Sequence, residues 1–368
     1  MEKKKLLIYN STLLKGGTES YFINLAKHLP KDQFDVEVVI KNGDDIDQDQ
    51  LNILNNLNIK THLIHGNLIN QMKSFKKFFS KHKNVYDIVH INATSAGNGI
   101  ISYFAKKFGK AKQIIFHSHM SNNDTSNKIV DFVGSKLLKK NCTDFVACST
   151  LAYDFMFGKN FKNKVPATIL KNSIDINKFE YNPNFRNQIR SELKINDSCF
   201  VFVHVGRLCA QKNQEHIIKV FSLYKQHNSN SKLLLVGIGD DKQKLESLAT
   251  SLNVKDDVLF LGSRNDVEKI LNASDILVFP SIKEALGIVA IEAQASNLPV
   301  VASTDVPEEA KVTENFKRIS LSEPLDVWVS QIKQFENVKR KSCSKELHSS
   351  GFSNEKAIQS VIDLYNKK

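Results

Sequence analysis

Short apolar runs alternate with stretches of helical periodicity along most of this chain, and that alternation narrows the possible folds more than any other feature. In the first half the strand-like runs are "KLLIYN", "FDVEVVI", "YDIVHIN", "QIIFHSHM", "DFVACS" and "ATILKN", separated by helical segments such as "ESYFINLAKHL", "SFKKFFSKH" and "GIISYFAKKF". The second half repeats the habit with "CFVFVHVGR", "KLLLVG", "VLFLG", "ILVFPS" and "LPVVAS". Strands that are apolar on both faces and alternate with helices imply parallel sheets covered on both sides. A length of 368 residues with 41% apolar content fits two such doubly wound α/β domains. The polar, proline-bearing stretch "NSIDINKFEYNPNF" is the expected junction. The expected division falls after residue 178. In such folds a ligand is expected in the cleft at the carboxyl ends of the strands.

Charge and cysteine usage exclude several classes. The net charge of +12 is uneven: residues 1–178 carry 26 basic and 15 acidic side chains, and residues 179–368 carry 25 and 24. Every basic residue of the first segment is lysine, which argues against nucleic-acid readout, where bidentate arginine is prominent. The five cysteines are scattered and never in a C-x-x-C spacing, so neither a disulfide framework nor a structural zinc site is expected. The N-terminal "MEKKKLLIYN" is too short in apolar length for a secretory segment, and no run approaches a membrane span. The expectation is a cytoplasmic protein.

Several loops carry chemistry. Gly16 and Gly17 follow the first strand and open a helix, where backbone amides can approach an anion or sugar; a plain tight turn explains the same pair. In "VGRLCAQKN", Arg207 and Lys212 flank a loop between strand and helix. They are either solvated rim charges or a grip for a diphosphate, worth about 4 kcal/mol per contact at ~4 Å before desolvation. Gly237 and Gly239 in "LLLVGIGDD" lack the third glycine of a dinucleotide loop and read as a close turn. His117 and His119 lie on one face of a strand, as metal ligands without an evident third, as packed strand-end residues, or with His119 as a polar cleft contact. "DDIDQDQ" has D-x-D spacing but sits where a solvated loop and helix start are expected. Glu284 and Glu292 form an E-x7-E pair inside an otherwise apolar stretch. A buried carboxylate without hydrogen-bond donors costs several kcal/mol, so these acids either reach solvent by helix phase or hold a polar ligand.

Together the pieces resemble the retaining glycosyltransferases of family 4, which have the GT-B fold of two Rossmann-like domains facing a cleft. The resemblance runs over nearly the whole chain through Gly16-Gly17, His119, "NSIDINKF", "GRLCAQKN", "VLFLGSRNDV" and the E-x7-E pair of "EALGIVAIEA". It implies that Glu284 meets the donor sugar and Glu292 the ribose hydroxyls, with the amides of Leu286, Gly287, Ile288 and Val289 facing sugar and phosphates. It further implies that Arg207 and Lys212 hold the diphosphate, that Arg264 borders the base through its backbone, and that His119 touches the transferred sugar. No metal or other cofactor is implied, and the donor is expected to be a UDP-sugar. The C-terminal "FSNEKAIQSVIDLYNKK" resembles the tail helix that crosses back onto the first domain in this fold, so residues 353–368 are expected to belong with 1–178, leaving 179–352 as the second domain. The chain departs from the pattern at Ala285, Ser173 and Cys209-Ala210, none of which removes a charged group.

The lysine excess suggests where an acceptor lies. In "LINQMKSFKKFFSKHK", Leu68, Met72, Phe75 and Phe79 share one helical face, and Lys73, Lys76, Lys77 and Lys81 lie off it. Either this is an ordinary sheet-covering helix with solvated lysines, or it docks on an anionic membrane carrying a lipid-linked glycan acceptor. Two other classes stay open: a noncatalytic GT-B subunit assisting another transferase, which the retained Arg207, Lys212, Glu284 and Glu292 argue against, and a nucleic-acid binder, which lacks stacking motifs.

Overall fold

The computed structural model describes residues 2–14, 16–41, 43, 46–120, 127–163, 165–340 and 343–367. The chain divides into two compact units, Met1–Ser173 with Asn354–Lys368, and Ile174–Ser353. The sequence pattern puts the division after residue 178. In the structure Ile174 donates its backbone N–H to Phe352 O at 2.9 Å, and Ile176 and Phe179 are buried, so the second unit begins at Ile174.

The first unit contains β1 (Lys4–Asn10), β2 (Phe34–Ile40), β3 (Lys60–Leu63), β4 (Ile88–Ala93), β5 (Gln113–Ser118), β6 (Asp144–Ala147) and β7 (Thr168–Ile169). They form a parallel sheet in the order β3-β2-β1-β4-β5-β6-β7. Leu6, Ile8, Phe22, Val38 and Ile115 share one core with Ile358, Val361 and Leu364 of the C-terminal helix Asn354–Tyr365. Each such burial stabilises by about 1.5–3 kcal/mol, enough to hold that helix on this unit. Lys4 Nζ donates to Tyr365 O at 2.8 Å and Gln113 Nε2 to Leu364 O at 2.9 Å, which satisfies carbonyls that a helix end leaves free.

The second unit contains β8 (Phe200–Val205), β9 (Ser231–Val236), β10 (Val258–Gly262), β11 (Ile276–Phe279), β12 (Val300–Ser303) and β13 (Phe316–Ile319), parallel in the order β10-β9-β8-β11-β12-β13. A charge network joins the amino ends of its central strands. The buried Arg190 guanidinium donates to Ala273 O at 2.9 Å and to Cys199 O at 3.1 Å, and meets Asp275 at 2.7 Å. Asp275 also accepts from Val201 N at 2.8 Å and pairs with Arg186 at 2.8 Å. Every partner is satisfied, the condition under which a buried ion pair is tolerated.

The interior strands lie where sequence predicts them. The edge strands β3 and β13 are unpredicted, because "KTHL" is mostly polar and nowhere fully buried, and in "FKRI" two charged residues separate the buried Phe316 and Ile319. β7 spans two residues, shorter than "ATILKN" suggests. In each sheet the strand order reverses once, between β1 and β4 and between β8 and β11. The loops leaving those strands diverge there, so each reversal opens a crevice at the carboxyl ends.

Candidate active site

In the second unit the loops that follow β8 and β11 flank the reversal. The β8 loop is shaped by Gln214, which nothing in the sequence flags. Gln214 Nε2 donates to Arg207 O at 2.8 Å, and Gln214 Oε1 accepts from Cys209 N at 3.3 Å. Asn213 takes a left-handed conformation at φ 54° and donates from Nδ2 to Pro280 O at 3.2 Å, tying this loop to the one after β11. The exit of β9 presses on the same loop. A Cβ at Gly237 would lie 2.0 Å from Gly206 O, and one at Gly239 would lie 2.1 Å from Leu208 O. The G-x-G thus serves backbone packing beneath the loop, and Leu208 N donates to Ile238 O at 2.9 Å.

This loop presents two cations differently. The Arg207 side chain is exposed and makes no ion pair among the described residues. Lys212 turns inward and ion-pairs with Glu284, its ammonium 5.2 Å from the centre of the Phe279 ring. Glu284, on the β11 loop, is 8% exposed. The structure therefore brings together Lys212 and Glu284, residues 72 apart in sequence.

Past Glu284 the chain turns through Gly287 at φ 80°, where a Cβ would also crowd Phe279 at 3.1 Å and Val306 at 3.3 Å. The helix Ile288–Ala295 starts there. Leu286 is buried, and Ile288 and Val289 are partly exposed, so the first amides of the helix stand beside the Glu284 loop. Glu292, on that helix, has separate electrostatic neighbours. Burial pushes its carboxyl up to about 8, with Lys178 opposing and Glu268 adding to the rise. Lys178 itself pairs with Glu268 at 3.3 Å. Arg264 is committed elsewhere, bidentate to Asp266 at 2.8 Å and joined to Glu192 at 2.8 Å. Three of its five N–H donors are thereby engaged within the protein.

The first unit collects polar groups at its own reversal. Gly16 precedes the helix Gly17–His28, and a Cβ there would strike Glu19 Oε2 at 2.7 Å. Gly17 has open space around it. His119 is 6% exposed; its Nε2 lies 3.2 Å from Asn92 Oδ1 and its ring 4.0 Å from that of His117. Burial, with His90 nearby, pushes His119 down to about 3, so the imidazole is neutral. His117 Nδ1 meets His90 Nε2 at 3.1 Å, and His90 Nδ1 meets the Tyr365 hydroxyl at 2.6 Å. Tyr21 packs against both histidines 117 and 119. Asn10 Oδ1, Tyr21 OH, Asn92 Nδ2, His117 Nε2 and His119 Nδ1 are buried without a protein partner. That concentration of unsatisfied polar atoms is unusual for a core and suits a place where water or ligand hydroxyls complete the bonding. Tyr21 and His90 give no signal in sequence, since each acts only through tertiary contacts.

Other expected features resolve plainly. Asp47 caps the helix Gln48–Asn56 by accepting from Gln50 N at 3.1 Å, while Asp44 and Asp45 of the D-x-D stretch, like Lys15, lie outside the described residues. The helix Leu68–Lys81 covers the core with only part of its apolar face. Its single apolar face is split: Phe75 and Phe79 are core, whereas Leu68 and Met72 are 45% and 40% exposed. Lys73, Lys76, Lys77 and Lys81 are exposed. The helix Lys128–Asn141 adds an apolar patch that the sequence pattern does not mark, with Ile129, Phe132 and Val133 exposed.

A "Glycosyl transferases group 1" family profile matches residues 185–346, and a "Glycosyl transferase 4-like" profile matches residues 12–148. The putative glycosyltransferase EpsF of Bacillus subtilis is 25% identical over 374 residues, covering 99% of this chain and 97% of that protein. The Escherichia coli UDP-Gal:alpha-D-GlcNAc-diphosphoundecaprenol alpha-1,3-galactosyltransferase is 25% identical over 366 residues, covering 96% and 94%. The crystal structure of Anabaena Alr3699/HepE in complex with UDP and glucose superposes with a TM-score of 0.80 at 19% identity, covering 99% of this chain and 100% of that chain.

Glu292 supplies a pH test. From the ordinary carboxylate range up to about 8, the folded chain retains a proton there that the unfolded chain has released. Stability contributed by this site therefore falls as pH rises through that window. Glu292→Gln is expected to match the parent near pH 4 and to exceed it at pH 8.5 by about 1 kcal/mol or more, since each tenfold change in proton affinity on folding is worth ~1.4 kcal/mol. Urea unfolding across that range measures it; a pH-independent difference contradicts the assignment.

Proposed function

We propose that this chain, a glycosyltransferase of the GT-B fold, moves a hexose from a UDP-sugar to a lipid-linked glycan acceptor, with retention of anomeric configuration, during assembly of a bacterial surface polysaccharide. The observation that carries the reading is the meeting of Lys212 and Glu284 on the two loops flanking the β8/β11 reversal. A cation for phosphate and an anion for sugar hydroxyls, side by side and largely withdrawn from water, match the two ends of an activated sugar. The relatives support the choice of substrate: one is named for UDP-Gal and a diphosphoundecaprenol acceptor, and a structural neighbour carries UDP and glucose.

In this reading Arg207 and Lys212 hold the diphosphate and stabilise it as the C1–O bond breaks. An acceptor oxygen bonds to C1 on the face the nucleotide leaves, and its proton passes to a donor phosphate oxygen. Glu284 accepts hydrogen bonds from sugar hydroxyls, which offsets the cost of its burial. The amides of Leu286, Gly287, Ile288 and Val289 face sugar and phosphate, Glu292 takes the ribose hydroxyls, and the Arg264 backbone borders the base. Gly16 and Gly17 allow close backbone approach, and neutral His119 offers a hydrogen bond to the transferred sugar. Fixed cations and amide dipoles in a dry site do the work a metal would otherwise do, so no metal is needed at the donor.

Glu284→Ala, Arg207→Ala and Lys212→Ala are each expected to lower turnover by about 10²-fold or more, the usual loss when a transition-state electrostatic contact is removed. Assay with a panel of UDP- and GDP-sugars measures this, and near-normal transfer in all three variants contradicts the reading.

The acceptor side of the proposal rests on exposed Lys73, Lys76, Lys77 and Lys81 beside exposed Leu68, Ile69 and Met72. Among the described residues no helix is long and apolar enough to cross a membrane. At about 1 kcal/mol per lysine near an anionic leaflet, these groups give reversible docking that salt weakens. Flotation with anionic vesicles at low salt is expected to carry the protein, and replacing the four lysines with glutamate to release it; equal flotation of both contradicts docking through this helix.

A further inference from the structure

The first unit also holds a constellation that the transfer reaction does not use. Glu37 on β2, His62 on the edge strand β3, and His82, which closes the helix Leu68–Lys81, each bring one ligand atom to within 4.8 Å of the others. We propose that these three side chains form a binding site for a divalent transition-metal ion of the Zn²⁺ type, with water completing the coordination.

Three observations carry this. The donor set is two imidazoles and one carboxylate, the borderline nitrogen and oxygen set that zinc takes in sites with an open position. The ligands are already held by a surrounding shell. His82 Nδ1 donates to Phe78 O at 2.9 Å, which leaves Nε2 with the lone pair. The Tyr86 hydroxyl donates to Glu37 Oε2 at 2.7 Å. Such outer hydrogen bonds fix the tautomer and orientation of metal ligands. The two imidazoles are also wedged against aromatic rings, with His62 4.9 Å and His82 4.5 Å from Phe78 between centroids. Little side-chain freedom remains to be lost on binding.

The geometric change required is small. Bonds of ~2.0–2.1 Å in a tetrahedral site put ligand atoms about 3.4 Å apart. His62 Nε2 and Glu37 Oε2 stand at 2.7 Å and would part slightly, and the remaining separations, up to 4.8 Å, would close. In the metal-free form His62 Nε2–H donates to Glu37. Coordination through Nε2 moves that proton to Nδ1 of the same ring, and the metal takes its place against the carboxylate. Lys5 and Lys60 compete for Glu37 at 3.5 and 3.8 Å. Lys60 is 62% exposed at its side chain and free to swing into water, and Lys5 keeps Asp35 at 3.3 Å. A bound ion would clip edge strand β3 and the end of the lysine-bearing helix to β2. Its role is therefore to fasten the edge of the first unit, separate from the donor groups of the second.

The test is Zn²⁺ binding to the full chain, measured by competition with a chromophoric chelator and by melting temperature. The parent is expected to bind one saturable equivalent and to melt at higher temperature with Zn²⁺. His62→Ala and His82→Gln are each expected to weaken binding at least ~10-fold, and Tyr86→Phe by about 10-fold through the outer shell. His82→Gln alters a partly buried helix cap, so circular dichroism is expected to show it folded. His28→Ala, at an exposed histidine away from the cluster, is expected to change nothing. Absence of saturable Zn²⁺ binding, or binding that a folded His82→Gln leaves intact, overturns the proposal.

Discussion

A parallel strand covered on both faces tolerates a charge along its length only where neighbours satisfy it, as His62 and Tyr86 do for Glu37 on β2. Its side chains alternate into two apolar layers, so polar groups collect past its ends, and the loops there diverge only where strand order reverses. Each sheet reverses its strand order once. In the second unit the amino ends of β8 and β11 carry the fully bonded Arg190–Asp275 network, which locks the strands. The carboxyl ends carry Arg207, Lys212 and Glu284, whose groups are only partly matched within the protein. One end holds the sheet together, and the other is left with chemistry to offer.

The Lys212–Glu284 pair also sets a condition on any ligand in the proposed reading. At rest the two charges satisfy each other in a partly dry setting, the lysine 21% and the glutamate 10% exposed at the side chain. A ligand that took only the lysine would strand a buried carboxylate, which is costly. A diphosphate joined to a sugar replaces both partners together, phosphate oxygen for Lys212 and hydroxyl for Glu284. Nucleotide alone does not. The pair thereby favours the intact donor through the penalty on partial occupancy. Glu292 works differently: with its carboxyl pushed up to about 8 it is nearly uncharged at rest, and a neutral acid can both donate to and accept from vicinal hydroxyls.

Much of this was legible in the sequence because the informative signals are local. Interior strands announce themselves as mainly apolar runs, and the loops "GRLCAQKN" and "EALGIVAIEA" carry their charges at fixed distances from strand ends. What escaped depends on tertiary contacts. β3 and β13 are edge strands with mixed polarity, so alternation alone does not mark them. Gln214 shapes the Arg207 loop from a position that reads as an ordinary helix start. The helix Leu68–Lys81 shows a single apolar stripe in projection, yet only the stretch containing Phe75 and Phe79 meets the core. Periodicity reports which residues share a face and is silent on how much of that face is covered. Likewise nothing in "FDVEVVI", "KTHL" and "KHKN" shows that Glu37, His62 and His82 converge.

The central claim is that the loops after β8 and β11 clasp an activated sugar. A crystal structure of the protein with an intact UDP-sugar tests it most directly. The account predicts a phosphate oxygen within ~3 Å of Lys212 Nζ and another near Arg207, with Glu284 turned from Lys212 onto sugar hydroxyls. A donor bound elsewhere, with the Lys212–Glu284 pair undisturbed, would contradict it.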